Sequence, residues 1–316
     1  MLPKEFREQL KERLLNLHWK QWTSFGVSSH MDRSEGFILD LEALAVSTLT
    51  ISPLDRRLFE ASLEWGRLNR SWLNLNRVKR IGRFFVDQGR EGPLGDEVLE
   101  SLLGFLKTSS PRILNGPGTK DADRHGHQGM FTEFKVRGIV VEPDVNLPCL
   151  QQLYQRSLFG VDARAEMFLY FLAGKKGNSN MISREIFMEQ KNLYRIINHW
   201  LGAGILEGSP GGGNTGLALR DTDAWMKTLR VRKLPEYVNW PRIYRFLARL
   251  VLKLPSPVLQ DDTYLVSSFF RDILEEGKYP ASVARVDMPL EKSFPGKSFF
   301  EPYAAAVLKI AERLEG

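Results

Sequence analysis

The chain has 316 residues, 43% hydrophobic and 26% charged, with a formal charge of +6 and a pI near 9.3. That is the balance of an ordinary globular protein, long enough for a sizeable core and about two domains, or three small ones. The single cysteine, Cys149, excludes an intrachain disulfide framework and suits a reducing compartment, and no apolar run approaches the roughly 18 to 20 residues that span a bilayer.

The N-terminal stretch MLPKEFREQLKERLLNLHWKQW alternates charge with apolar residues and has no signal-peptide core. It is expected to be an amphipathic helix of a mature cytoplasmic protein. Phe6, Leu10, Leu14, Leu17 and Trp22 recur at helical intervals and define its inward face. Residues 24–34, rich in serine, end it, and residues 38–50 resume a helical pattern. Ser52 followed by Pro53 predicts an N-cap with proline at the first helical position. The helix so opened places Leu58, Phe59, Leu63 and Trp65 inward. Another helix runs to Gly89, and residues 96–107 form a short amphipathic one.

Residues 67–90 carry the densest positive charge. Arg67, Arg70, Arg77, Lys79, Arg80, Arg83 and Arg90 stand against Asp87 alone. Two readings stay open: a phosphate-contacting face, or a solvated face whose acidic partners lie elsewhere.

Residues 109–129 change character, being rich in Pro, Gly, Ser and charge, and read as a linker or loop. Asp121, Asp123, His125 and His127 alternate there, which would put four ligand-type side chains on one side of an extended segment. A glycine-flanked loop lacks the groups that orient real ligands, so an exposed polar loop is expected and no metal is assigned. Val136, Ile139 and Val141 predict a short strand after it.

Residues 158–219 form a complete module. Asp162 caps a core helix carrying Ala165, Phe168, Leu169 and Leu172. Ser183 is expected to cap a short helix over residues 184–187, and residues 188–190 to make a turn. The following helix, residues 190–203, places Leu193, Ile196, Ile197 and Trp200 at i, i+3, i+4, i+7 and so buries one face. Its other face presents Gln190, Lys191, Asn192, Tyr194, Arg195 and Asn198. Arginine pairs with guanine, asparagine or glutamine with adenine, and lysine or tyrosine with phosphates. No acidic residue follows Glu189 within this helix, as a helix among phosphates requires. Gly204 marks a left-handed C-cap. Residues 205–207 and 217–219 then read as strands around the loop GSPGGGNTG. That loop lies between two strands and lacks the lysine and hydroxyl of a phosphate-binding P-loop, so a nucleotide site is rejected. Asn214 or Arg220 could touch a backbone or minor groove, and Ser183 and Arg184 complete the candidate contact set.

The elements SREIF, NLYRIINHW, AGIL and the glycine-rich hairpin make residues 158–220 resemble a winged helix-turn-helix of the MarR and ArsR type. More loosely, LDLEALAVSTLTISPLDRRLFEASLEW followed by LFGVDARAE is similar to a group of uncharacterised bacterial proteins with a central winged helix. The resemblance implies that the second helix of the motif enters the major groove and that a homodimer reads two half-sites.

Beyond the module, residues 240–254 form a helix with Arg242, Arg245, Arg249 and Lys253 outward. Residues 261–277 and 298–316 complete a helical unit. A membrane-surface role for the basic helix is set aside because it is short and flanked by packing partners. No catalytic motif is present, and His18, His30 and His199 are isolated.

The expected fold is mainly α: a central winged helix-turn-helix, with a two- to three-stranded β-wing, flanked by helical domains. The expected division is 1–108 helical, 109–152 linker with a strand, 153–230 winged helix and 231–316 helical. The expected function is sequence-specific binding of double-stranded DNA by a transcriptional regulator. No cofactor is assigned, and an unidentified small-molecule or protein effector is expected. The alternative is a protein-interaction scaffold that uses the winged helix without DNA.

Overall fold

The computed structural model describes residues 1–86, 92–108, 131, 134–208, 216–254 and 262–316. Among them are fourteen α-helices and one two-stranded sheet, so the protein is mainly helical. No described helix is long and apolar enough to cross a membrane.

Helix α1 (Pro3–Ser24) buries Phe6, Leu10, Leu14, Leu17 and Trp22, the face its periodicity predicts. Asp40 caps α2 (Leu41–Thr50) by accepting from the Ala43 N–H. α3 (Arg56–Leu68) starts later than the Ser52-Pro53 pair predicts. Residues 51–54 form a turn, and Asp55 is the cap because its carboxylate reaches the Leu58 N–H at 3.0 Å. α4 (Leu75–Val86) and α5 (Asp96–Thr108) follow.

The strand expected around Val136 does not form. Val136 and Val141 are exposed, and a single antiparallel bridge joins Val27 to Val140. Instead Glu64 pins this segment by accepting from the backbone N–H groups of Arg137 and Gly138.

The middle of the chain holds α6 (Gln151–Phe159), α7 (Ala163–Leu172), α8 (Ser179–Ile186), α9 (Gln190–Gly202), β1 (Leu206–Glu207), β2 (Ala218–Leu219) and α10 (Thr222–Thr228). The strands pair antiparallel, Leu206 opposite Leu219, and Gly177 adds an antiparallel bridge to Leu217. Then come α11 (Trp240–Lys253), α12 (Thr263–Asp272), α13 (Leu274–Ala284) and α14 (Phe300–Glu315). The one helix expected over residues 261–277 is thus two. Arg249 is buried and paired with Glu276, so it does not face out with Arg242.

Apolar side chains collect in two cores. The first is shared by α1–α5, the start of α6 and α11–α14, so the N- and C-terminal helices bury their faces against each other. Phe6 of α1 packs edge-on to Phe270 of α12 at 5.5 Å, and Phe270 stacks on Phe300 of α14 at 5.8 Å. The second core belongs to the middle segment. Phe168 is its centre, against Phe159 at 4.8 Å and Trp225 at 5.2 Å.

Candidate nucleic-acid interface

The helix pair α8–α9 is shaped by local chemistry. Asn178, not Ser183, caps α8: its side chain accepts from the N–H groups of Asn180 and Met181 at 3.1 and 3.0 Å. Ser183 lies inside the helix, where its Oγ donates to the Met188 carbonyl at 2.8 Å and closes the turn. α8 ends on Phe187, which adopts φ +57° and ψ +40°. Left-handed backbone costs a non-glycine residue roughly 1–2 kcal/mol. Here the conformation carries the Phe187 ring to Phe84 of α4, with centroids 5.4 Å apart.

α9 begins at Gln190 as the sequence predicts. Leu193 and Ile197 are fully buried, and Ile196 and Trp200 pack half-buried beside them. Gly204 ends the helix at φ +69°, with the Ile205 N–H returning to the Trp200 carbonyl. Gln190, Lys191, Tyr194, Arg195 and Asn198 share the exposed face. Gln190 Nε2 donates to Ser179 Oγ at 3.0 Å, which ties the start of α9 to the start of α8. His199 is exposed, as expected of a surface polar group.

The remaining candidates divide. Asn192 turns half-buried toward α4, and Ser183 and Arg184 lie on the same side. Arg220 sits at the far end of α9, beside Gly204 and 3.9 Å from Glu207. Asn214 lies outside the described residues, as do Asp121, Asp123, His125, His127, Asp87 and Arg90. Among the described residues no cluster of His, Cys, Asp and Glu could hold a metal ion.

An open cleft of about 960 Å³ separates α4 from the α8–α9 turn. α4 contributes Asn76, Lys79, Arg80 and Arg83, and the facing wall contributes Arg184, Asn192 and Arg242. Asp162 and Glu189 are its carboxylates. Lys79 pairs with Glu100 at 3.6 Å and Arg242 with Glu185 at 3.5 Å.

Beneath this cleft lies a buried ionic network absent from the sequence reading. Arg77, counted there among the basic face of its helix, is instead 2% exposed. Its Nη1 donates to Asp40 at 2.6 Å and to Glu42 at 2.7 Å, and its Nε donates to the Ile186 carbonyl at 2.9 Å. Arg156 donates to Glu42 at 2.7 Å and to Glu166, and Gln152 bridges the two carboxylates. Burial alone would push the Glu42 carboxyl up, but Arg156 and Arg77 outweigh it and hold the pKa at about 2. Burial likewise opposes the charge on Arg77, yet Asp40, Glu166 and Glu42 raise its pKa well above the ordinary value. The network joins α2 and α4 of the first core to α6, α7 and α8, so it fixes where α9 stands relative to α4. The available signal was a charged residue at a buried helical phase: Glu42 within LEALAV and Glu166 within AEMFLYFL.

The chain matches no protein-family model, no curated protein and no solved structure.

Proposed function

We propose that the middle segment is a winged helix-turn-helix that binds double-stranded DNA sequence-specifically, with α9 in the major groove, and that the protein is a dimeric transcriptional regulator. The observation that carries this reading is the two-sidedness of α9. One face is locked into the core by Leu193 and Ile197. The other exposes Gln190, Lys191, Tyr194, Arg195 and Asn198, with no carboxylate in the helix. Such a face offers donors to base edges and phosphates without repelling the latter. The order α7, Gly177 bridge, α8, α9, β1, β2 supports it further, because the two strands follow the helix pair as a wing would, with Gly177 bridged to Leu217 beside them.

Selection of bound duplexes from a random pool tests the reading, and a recovered palindrome would identify the dimer and its half-site spacing. Lys191→Ala with Arg195→Ala is expected to abolish selective retention while leaving the far-UV circular dichroism unchanged. Full selective binding by that double variant would refute the assignment of α9.

A further inference from the structure

The cleft beside α9 has a chemistry that a reading confined to α9 leaves unused. Arg80 and Arg83 stand one turn apart on α4, across from Arg184 on α8. None of these three guanidinium groups has an ion-pair or hydrogen-bond partner among the described residues. Of the two lining carboxylates, Asp162 is engaged: it caps α7 through the Arg164 N–H and pairs with the Arg164 side chain at 3.3 Å. Glu189 is the one opposing charge left exposed.

We infer that this cleft holds the sugar–phosphate backbone of the duplex that α9 reads, with α4 supplying phosphate contacts through Arg80 and Arg83 and α8 through Arg184. The inference rests on the DNA-binding reading above and extends its footprint to a second element. Three observations favour a polymer backbone over a small anionic ligand. The cleft is open and polar rather than enclosed and apolar, whereas small-molecule sites are mostly apolar. Its two aromatic rings, Phe84 and Phe187, pack on each other with centroids 5.4 Å apart, and the Arg245 guanidinium lies over Phe84 at 4.6 Å, so both rings are already engaged within the protein. Asn192 lines the cleft from α9 itself, so the cleft is continuous with the exposed face carrying Lys191 and Arg195.

The spacing of the two walls is fixed. Arg77, one turn before Arg80 on α4, is bonded to the last carbonyl of α8 at Ile186. Phe187 packs on Phe84 just beyond it. A backbone entering the cleft therefore meets two walls whose spacing is already set, and the ordering cost of binding falls on the arginine side chains alone.

The test measures affinity against salt for the full chain, with two fluorescein-labelled duplexes: one recovered by selection and one of random sequence. Each neutralised phosphate adds about 0.9 to the slope of log affinity against log salt. Arg80→Gln with Arg83→Gln is therefore expected to reduce that slope by about 1.8 and to weaken both duplexes equally, up to about 60-fold at 0.1 M salt. Lys191→Ala with Arg195→Ala should instead erase the preference for the selected duplex. Both arginines are exposed, so an unchanged thermal midpoint serves as the folding control. A wild-type slope in the Arg80/Arg83 variant would overturn the cleft assignment while leaving α9 intact. ATP binding that vanishes in that variant, with duplex affinity untouched, would overturn it in favour of a small-anion pocket. A wild-type protein that retains no duplex would overturn the reading of α9 and this inference together.

Discussion

Glu42 receives two guanidinium groups with no exposure to solvent, and the balance around it sets its mutational cost. Arg77 and Arg156 stay charged because Asp40, Glu42 and Glu166 surround them. Removing one charge from such a group leaves the others uncompensated in a poorly polarisable interior, which typically costs about 3–5 kcal/mol. Glu42→Gln is expected to destabilise the protein by that amount in urea unfolding; a loss below about 1 kcal/mol would show that water enters and solvates the arginines. The position of Arg77 shows what local reading misses. Its neighbours Lys79, Arg80 and Arg83 are basic as well, and period alone does not tell an inward arginine from an outward one. The partners that settle the matter, Asp40 and Glu42, lie some 35 positions earlier in the chain.

At the scale of elements, what was legible followed from periodicity. α1, α9 and α14 appear where apolar residues recur at helical spacing, and the hairpin follows the glycine that ends α9. Helix starts were less legible, because serine, asparagine and aspartate compete for the cap wherever they cluster. Asn178, Ser179, Asn180 and Ser183 all fall within one turn and a half, and Asn178 is the one whose side chain accepts from the first helical N–H groups. Asn178→Ala is therefore expected to cost about 1 kcal/mol by urea titration, the usual value of a lost cap. An unchanged midpoint would deny Asn178 that role. The turn after α8 was the hardest part to foresee. A phenylalanine occupies the left-handed position where glycine is favoured, and its reason is the distant Phe84 on α4. Of the candidate contact residues on α9, Gln190, Lys191, Tyr194, Arg195 and Asn198 gather on one exposed face, while Asn192 turns half-buried toward α4. Arg80 and Arg83, left open in the sequence between a phosphate-contacting face and a solvated one, come to the side of α9 because the ionic network brings α4 beside α8.

For the molecule as a whole, two buried groups give the fold a defined acid response. His18 is bonded to the Leu14 carbonyl and to Ser47, and burial lowers its pKa from 6.5 to about 4 despite the carbonyl bond that raises it. The unfolded chain thus takes up a proton near pH 6.5 that the folded chain refuses until about pH 4, so stability falls as pH drops through that window. Glu42 adds a second loss: its pKa of about 2 when folded against 4.5 when unfolded removes stability as pH falls from about 4.5 toward 2. Urea midpoints should accordingly decline in two stages below pH 6.5, and His18→Gln should flatten the first stage alone. A variant with the wild-type slope would assign that stage to other groups. The shared core also bears on how the protein is made. α1 leaves the ribosome before α14, yet the surface that covers Phe6 and Leu10 includes α14, some 280 residues later. At translation rates of about 5–20 residues per second, that apolar face stays uncovered for roughly 15 to 60 s. The newborn helix therefore reaches its final packing only after α14 has emerged.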